Sequence, residues 1–366
     1  MTQESSVRTG VPARESINQF AARMSTRFSL SAGIIVGLLV VLLNIGRNPV
    51  PMLEDLRSFA NIGFLAMIPI ALISAGWGFV LGVQYWNAHV PAARQRTWGV
   101  AVVPVAVAYT LFALAVIVVG LYFIEAAFKG LHLIVSQAAI LTGAATAVFT
   151  HWIVGDAIRV NTRRLLTLII VIIAGGIYLT VTQIDDPLWW QISFSYLGKY
   201  ESNVNYIFNG TLIFAGILLL VWLGYFMSDY RIVVAHGVAA ARWEKWVRFA
   251  LVWLAVAVAL VGIFKSNFTP FSSIMHNLAA YSLAGVFGLL MVGARWIVPG
   301  FPREFFSTSW LLVALLALTL VAAALGRVNT VGLEVAAFGL GITWLTGFVG
   351  TTEDTAKELE PDAFPE

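Results

Sequence analysis

The chain has 366 residues, 59% hydrophobic and only 11% charged, with mean hydropathy +0.85 and a formal net charge of +3. A soluble domain carries about 25% charged residues, so the soluble classes are excluded, nucleic-acid binding has no support, and a polytopic membrane protein remains. Cys is absent, which removes disulfides, thiolate metal sites and cysteine nucleophiles.

Residues 1–26 are polar, with Arg8, Arg14 and Arg23 ahead of the first apolar run, and no cleavable signal peptide is expected there. A bilayer crossing needs about 20 apolar residues. Ten stretches meet that length: Phe28–Ile45, Ser58–Val83, Trp98–Phe123, Leu131–Val154, Leu165–Thr182, Tyr206–Met227, Val247–Phe264, Ser273–Val298, Thr308–Leu325 and Val331–Val349. The expected class is all-α, a polytopic transmembrane helix bundle of about ten spans. The acidic stretch 351–366 reads as a solvated tail.

Between the fifth and sixth spans the chain stops being apolar. Gln183–Asn209 carries Asp185, Asp186, Lys199 and Glu201, with Trp189, Trp190 and Tyr196 among them. Backbone polar groups cannot face lipid unpaired, so this segment lies outside the hydrocarbon or against protein.

With ten spans, 16 of the 22 Lys and Arg fall on one face; the other holds Arg47, Arg57, Lys129, Lys199, Lys265 and Arg327. The positive-inside rule makes the richer face cytoplasmic. Both termini are then expected to be cytoplasmic, with Gln183–Asn209 facing outward. Trp86, Trp98, Trp152, Trp243, Trp246 and Trp296 gather at the inner boundary, where interfacial aromatics belong.

An internal repeat is also expected. His132–Arg159 and His276–Arg303 share six of 28 aligned positions, among them the His, the Trp-Ile-Val of Trp152 and Trp296, and the final Arg. Asn61, Asn209 and Glu334 fall at matching places near the outer ends of their spans. The reading is a tandem parallel arrangement of four-helix repeats (4+4+2): a first unit over 27–160 and a second membrane unit of six spans over 161–350.

An ionisable or polar residue inside a span marks a function unless a partner or water satisfies it. Glu334, between Leu333 and Val335, is the sharpest case, with Arg327 as its alternative structural partner. With Asn209, Asn61, His276 and His132 at the outer helix ends, and Asp185, Asp186, Ser195 and Glu201 in the outer segment, it defines an expected outward-facing ligand site.

No HxxxH or HExxH spacing supports a metal, and no cofactor motif is present. Ser195, His276 and Asp186 could be written as a hydrolytic triad, but no elbow motif places the nucleophile.

Ser-Tyr-Leu-Gly at Ser195, followed by Tyr-Ile-Phe-Asn-Gly-Thr-Leu-Ile-Phe from Tyr206, resembles a bacterial family of multi-span membrane proteins of unknown function. More distantly it resembles the Frag/DRAM/Sfk group, tied to lipid and glycolipid handling. The resemblance covers the fifth to tenth spans and implies an outward polar site whose partners are membrane lipids. Two readings follow. One is a protein whose outward cavity binds or translocates a lipid or other amphiphile. The other is a non-catalytic structural, assembly or sensor subunit working with a membrane-protein partner. A membrane-embedded enzyme stands third.

Overall fold

A computed structural model describes residues 15–90, 95–96, 99–199, 204–266, 268–361 and 364. Ten helices dominate it: α1 (Ile17–Leu43), α2 (Phe59–His89), α3 (Val102–Ala127), α4 (Val135–Ile158), α5 (Thr162–Gln183), α6 (Asn205–Ala235), α7 (Glu244–Ile263), α8 (Pro270–Ile297), α9 (Arg303–Ala324) and α10 (Thr330–Leu359). Each is long and apolar enough to cross a bilayer. Ten crossings return both ends of the chain to one side, here the terminal face; the opposite side is the distal face.

Helix ends follow local chemistry. At α1, Ser16 and Gln19 form a reciprocal capping box, so the helix starts well before the apolar run at Phe28. Asn161 caps α5 and Asn329 caps α10, each accepting a backbone N–H three residues on. At the far end α10 runs through to Leu359. The acidic stretch expected to be a solvated tail is thus partly helical, with Thr352, Glu353 and Ala356 buried.

Large apolar side chains such as Leu30, Ile34, Leu289 and Leu318 remain exposed around the bundle, the lipid-facing belt that a soluble protein would not tolerate. Inside, small residues permit close approach. A Cβ added to Gly33 of α1 would meet the Gly143 carbonyl of α4 at 2.7 Å, and the reverse holds at Gly143. α1 and α4 make the most extensive helix–helix contact among the described residues.

The second half is built round α6, which packs on α5, α7 and α10. Trp222, Phe226 and Tyr230 recur every four residues, so they share one face. Their rings stack at 5.1 and 5.7 Å. Phe348 of α10 packs against this ladder 5.4 Å from Phe226, and Trp344 stacks on Phe348 at 5.0 Å. An aromatic plug therefore runs from the middle of the α6–α10 seam to its terminal-face end.

On the distal face two short strands, β1 (Val50–Pro51) and β2 (His132–Leu133), pair antiparallel and tie the α1–α2 and α3–α4 connections together. The pairing inside the first four spans, where α1 lies along α4 and α2 between α3 and α4, is not reproduced in the next four. Those pair in order as α5–α6, α6–α7 and α7–α8. His132 lies in β2, ahead of α4, whereas His276 is the seventh residue of α8. Asn209 and Glu334 do match, each being the fifth residue of its helix.

Candidate functional site

The distal cluster forms because two 3-10 turns, Trp189–Gln191 and Phe194–Gly198, fold the α5–α6 connection down onto α6 and α10. Asp186 starts this fold by accepting the Leu188 N–H at 2.9 Å and the Tyr196 hydroxyl at 3.0 Å. Asn329 donates to the Trp190 carbonyl at 3.0 Å. Glu334 then accepts the Phe194 N–H, with the Ser195 hydroxyl 3.5 Å from its other oxygen. At the far end of the same turn, Asn209 donates to the Gly198 carbonyl at 3.0 Å, leaving its own buried Oδ1 without a partner. Glu334 and Asn209 are thus joined through one short backbone segment, and Arg327 takes no part.

His276 is only 2% exposed, and its Nδ1 lies 2.8 Å from the Phe264 carbonyl and 3.1 Å from that of Val261. Both neighbours are acceptors, so Nδ1 carries the proton and closes the end of α7, while Nε2 is buried and unpartnered. Asn61 and His132 sit elsewhere, Asn61 in the first turn of α2 and His132 in β2. Asn61 donates to the Asp55 carbonyl at 2.8 Å, and His132 lies 3.2 Å from Glu54. Asp185 belongs to the same connection, and Glu201 lies outside the described residues. Ser195, His276 and Asp186 are each engaged with other groups, and no relay joins them. No group of three or more potential metal ligands occurs among the described residues.

A second and denser polar cluster lies at the terminal face, where the sequence reading places no site residue. Asp229 of α6 is 3% exposed and accepts the Thr162 hydroxyl at the start of α5. Glu353 of α10 is 1% exposed. It accepts the Arg163 N–H at 3.1 Å and pairs with Lys357 at 3.0 Å, one helical turn away. Asp156 of α4 bridges the Tyr109 hydroxyl and Arg164, both at 2.6 Å.

Arg96, from the α2–α3 connection, reaches into this cluster. Its guanidinium lies 3.5 Å above the Trp86 ring and 4.4 Å from that of Tyr225. Burial pushes its proton affinity below the usual arginine value, while Tyr225, Asp229 and Glu353 act electrostatically to hold the proton on. Its Nε is buried without a hydrogen-bond partner. Beside it is a cavity of about 310 Å³ whose charged lining is Arg96, Arg159, Arg164 and Lys357. A separate groove of about 390 Å³, walled by Trp243, Trp246, Leu289 and Trp296, is almost purely apolar.

Spacing links the two faces. Asn209 and Asp229 stand twenty residues apart on α6, about 30 Å along a helix. Glu334 and Glu353 are nearly as far apart on α10. That distance matches the hydrocarbon thickness of a bilayer, about 30 Å. The polar groups therefore bracket the apolar slab on two adjacent helices, and the aromatic plug reaches up to the Asp229 end of it.

Fold and site together define an all-α multi-pass membrane protein with buried carboxylates, Asp229 and Glu353, at one end of a helix pair and the buried Asn209 with the half-buried Glu334 at the other. No family model, curated protein or solved structure matches the chain.

Proposed function

We propose that this protein binds a lipid or other amphiphile and moves it along the α6–α10 seam of a bacterial plasma membrane, with both termini in the cytoplasm. The observation that carries this reading is the bracketing of the bilayer by Asn209 and Glu334 at one end of the seam and by Asp229 and Glu353 at the other. A carboxylate in a span costs about 3 kcal/mol on insertion scales, and such residues commonly mark a substrate path. One carboxylate near the distal end and two at the terminal end are more than a helix pair needs for packing. The 16-to-6 division of Lys and Arg supports the orientation, and the lipid-linked resemblance of the Ser195–Leu218 region supports the substrate class.

The second reading, a structural or assembly subunit, is favoured by one observation. Glu334 and Asn209 spend their hydrogen bonds on the backbone of the covering turn. Proteoliposomes with a head-labelled fluorescent phospholipid in both leaflets separate the two. Dithionite quenches only outer-leaflet label, so lipid movement appears as quenching beyond half. The transport reading expects that excess, and expects its loss in Glu334→Gln and Asp229→Asn. Quenching equal to that of protein-free liposomes supports the structural reading.

A further inference from the structure

We propose that the terminal-face cavity is a binding site for a phosphate-type oxyanion, presented by a phospholipid headgroup or by a soluble phosphate compound. This stands whether or not the α6–α10 seam moves lipid. Four basic side chains, Arg96, Arg159, Arg164 and Lys357, line the cavity, and among the described residues no carboxylate does.

The carboxylates bonded to this lining already hold other partners. Asp156 is shared by Tyr109 and Arg164, and Glu353 by the Arg163 amide and Lys357. Among the described residues, Arg96 and Arg159 have no carboxylate within 4 Å. Arg159 is further held below its usual proton affinity, first by burial and then by Arg164, a like charge. An anion in the cavity relieves that repulsion and gives both guanidiniums a direct partner, where Asp229 and Glu353 act on Arg96, and Asp156 on Arg159, only from beyond 4 Å.

Geometry favours a multidentate oxyanion. Guanidinium forks match phosphate oxygens with paired N–H donors. Trp86 and Tyr225 both pack against the Arg96 guanidinium, so little side-chain freedom remains to be lost on binding. Ile17 and Asn18 open α1, and Asn161 caps α5, at the cavity edge. Two helix N-termini thus add positive partial charge to the basic lining. The aromatic walls Trp86 and Phe364 suit a ligand lodged at the membrane interface.

The test uses the full chain in neutral detergent, with native mass spectrometry to count bound phosphatidic acid or phosphatidylcholine and a thermal-shift assay with inorganic phosphate. The expected result is retention of phosphatidic acid over phosphatidylcholine, weakened at least roughly ten-fold in Arg96→Gln/Arg159→Gln. Arg242→Gln/Arg248→Gln, on the same face but outside the cavity, keeps wild-type binding. Stabilisation by inorganic phosphate, lost in the Arg96→Gln/Arg159→Gln protein, assigns the site to the phosphate group itself. A lipid-only response assigns it to the headgroup in its membrane setting. If the double variant does not run as a single species on gel filtration, Arg159→Gln alone replaces it and still weakens binding. Equal retention of the two lipids with no phosphate response, or unchanged binding in the cavity variants, overturns the proposal.

Discussion

Glu334, in the second turn of α10, accepts the backbone N–H of Phe194, a residue 140 positions earlier in the chain. That contact holds the covering turn against the distal end of the α6–α10 seam. Glu334→Gln keeps an acceptor for the same N–H, so folded stability falls by less than about 1 kcal/mol. Glu334→Leu leaves the amide unpaired at a cost of about 1–3 kcal/mol. Thermal unfolding in detergent measures the difference, and equal losses in the two variants would show that the contact does not hold the turn.

At the terminal face the test is a double-mutant cycle. Lys357→Met strands the buried Glu353 carboxylate with Arg163 alone, and about 1–3 kcal/mol of stability is lost. Adding Glu353→Gln removes the stranded charge and recovers part of that loss. Strict additivity of the two changes would contradict a coupled pair.

Gly33 and Gly143 hold α1 on α4. Gly33→Leu must fit a side chain where even a Cβ meets Ala147 at 2.9 Å and the Gly143 carbonyl at 2.7 Å. Overpacking of this kind costs about 1–3 kcal/mol. Gly99→Leu, with nothing within 4 Å of its Cβ, serves as the control and leaves the melting temperature unchanged.

A pH effect is expected at the distal α1–α2 loop. Hydrogen bonding from Arg47 holds the Asp55 carboxyl down to about 2. A depressed folded value means the stabilisation is present above the ordinary carboxylate range, about 4, and is lost as pH falls through about 2. Pepsin cleavage near Leu53 and Leu56 therefore rises between pH 4 and pH 2, after correction with a reference peptide. In Arg47→Gln cleavage is already high at pH 4. No pH dependence in the wild type would remove the pair from the loop's stability.

Much of the fold is legible because a span announces itself by its length. The ten apolar runs are the ten helices, displaced mainly where polar residues extend them, as at the Ser16–Gln19 cap of α1 and the Thr351–Leu359 end of α10. The distal cluster is half legible. Glu334 and Asn209 stand out as polar letters inside apolar runs, but their common partner is a backbone turn, which leaves no mark in composition. The terminal-face cluster is hidden for another reason. Arg96, Thr162, Asp229 and Glu353 come from four distant parts of the chain, and each alone reads as a charge or cap at the headgroups. Only the packing of α5, α6 and α10 brings them together. The His132–His276 correspondence rests on sequence spacing, and the two residues occupy different settings: a half-exposed strand pair and a closed helix end.

The most direct test of the α6–α10 seam as a path is to lock it. Phe226 and Phe348 face each other across the aromatic plug, and the chain has no native Cys to confuse the chemistry. Lipid movement is measured in proteoliposomes of the Phe226→Cys/Phe348→Cys protein: free, bridged by a short reducible crosslinker, and after reduction. Movement that stops on bridging and returns on reduction is the predicted result. Movement that continues unchanged with the thiols bridged would contradict the account.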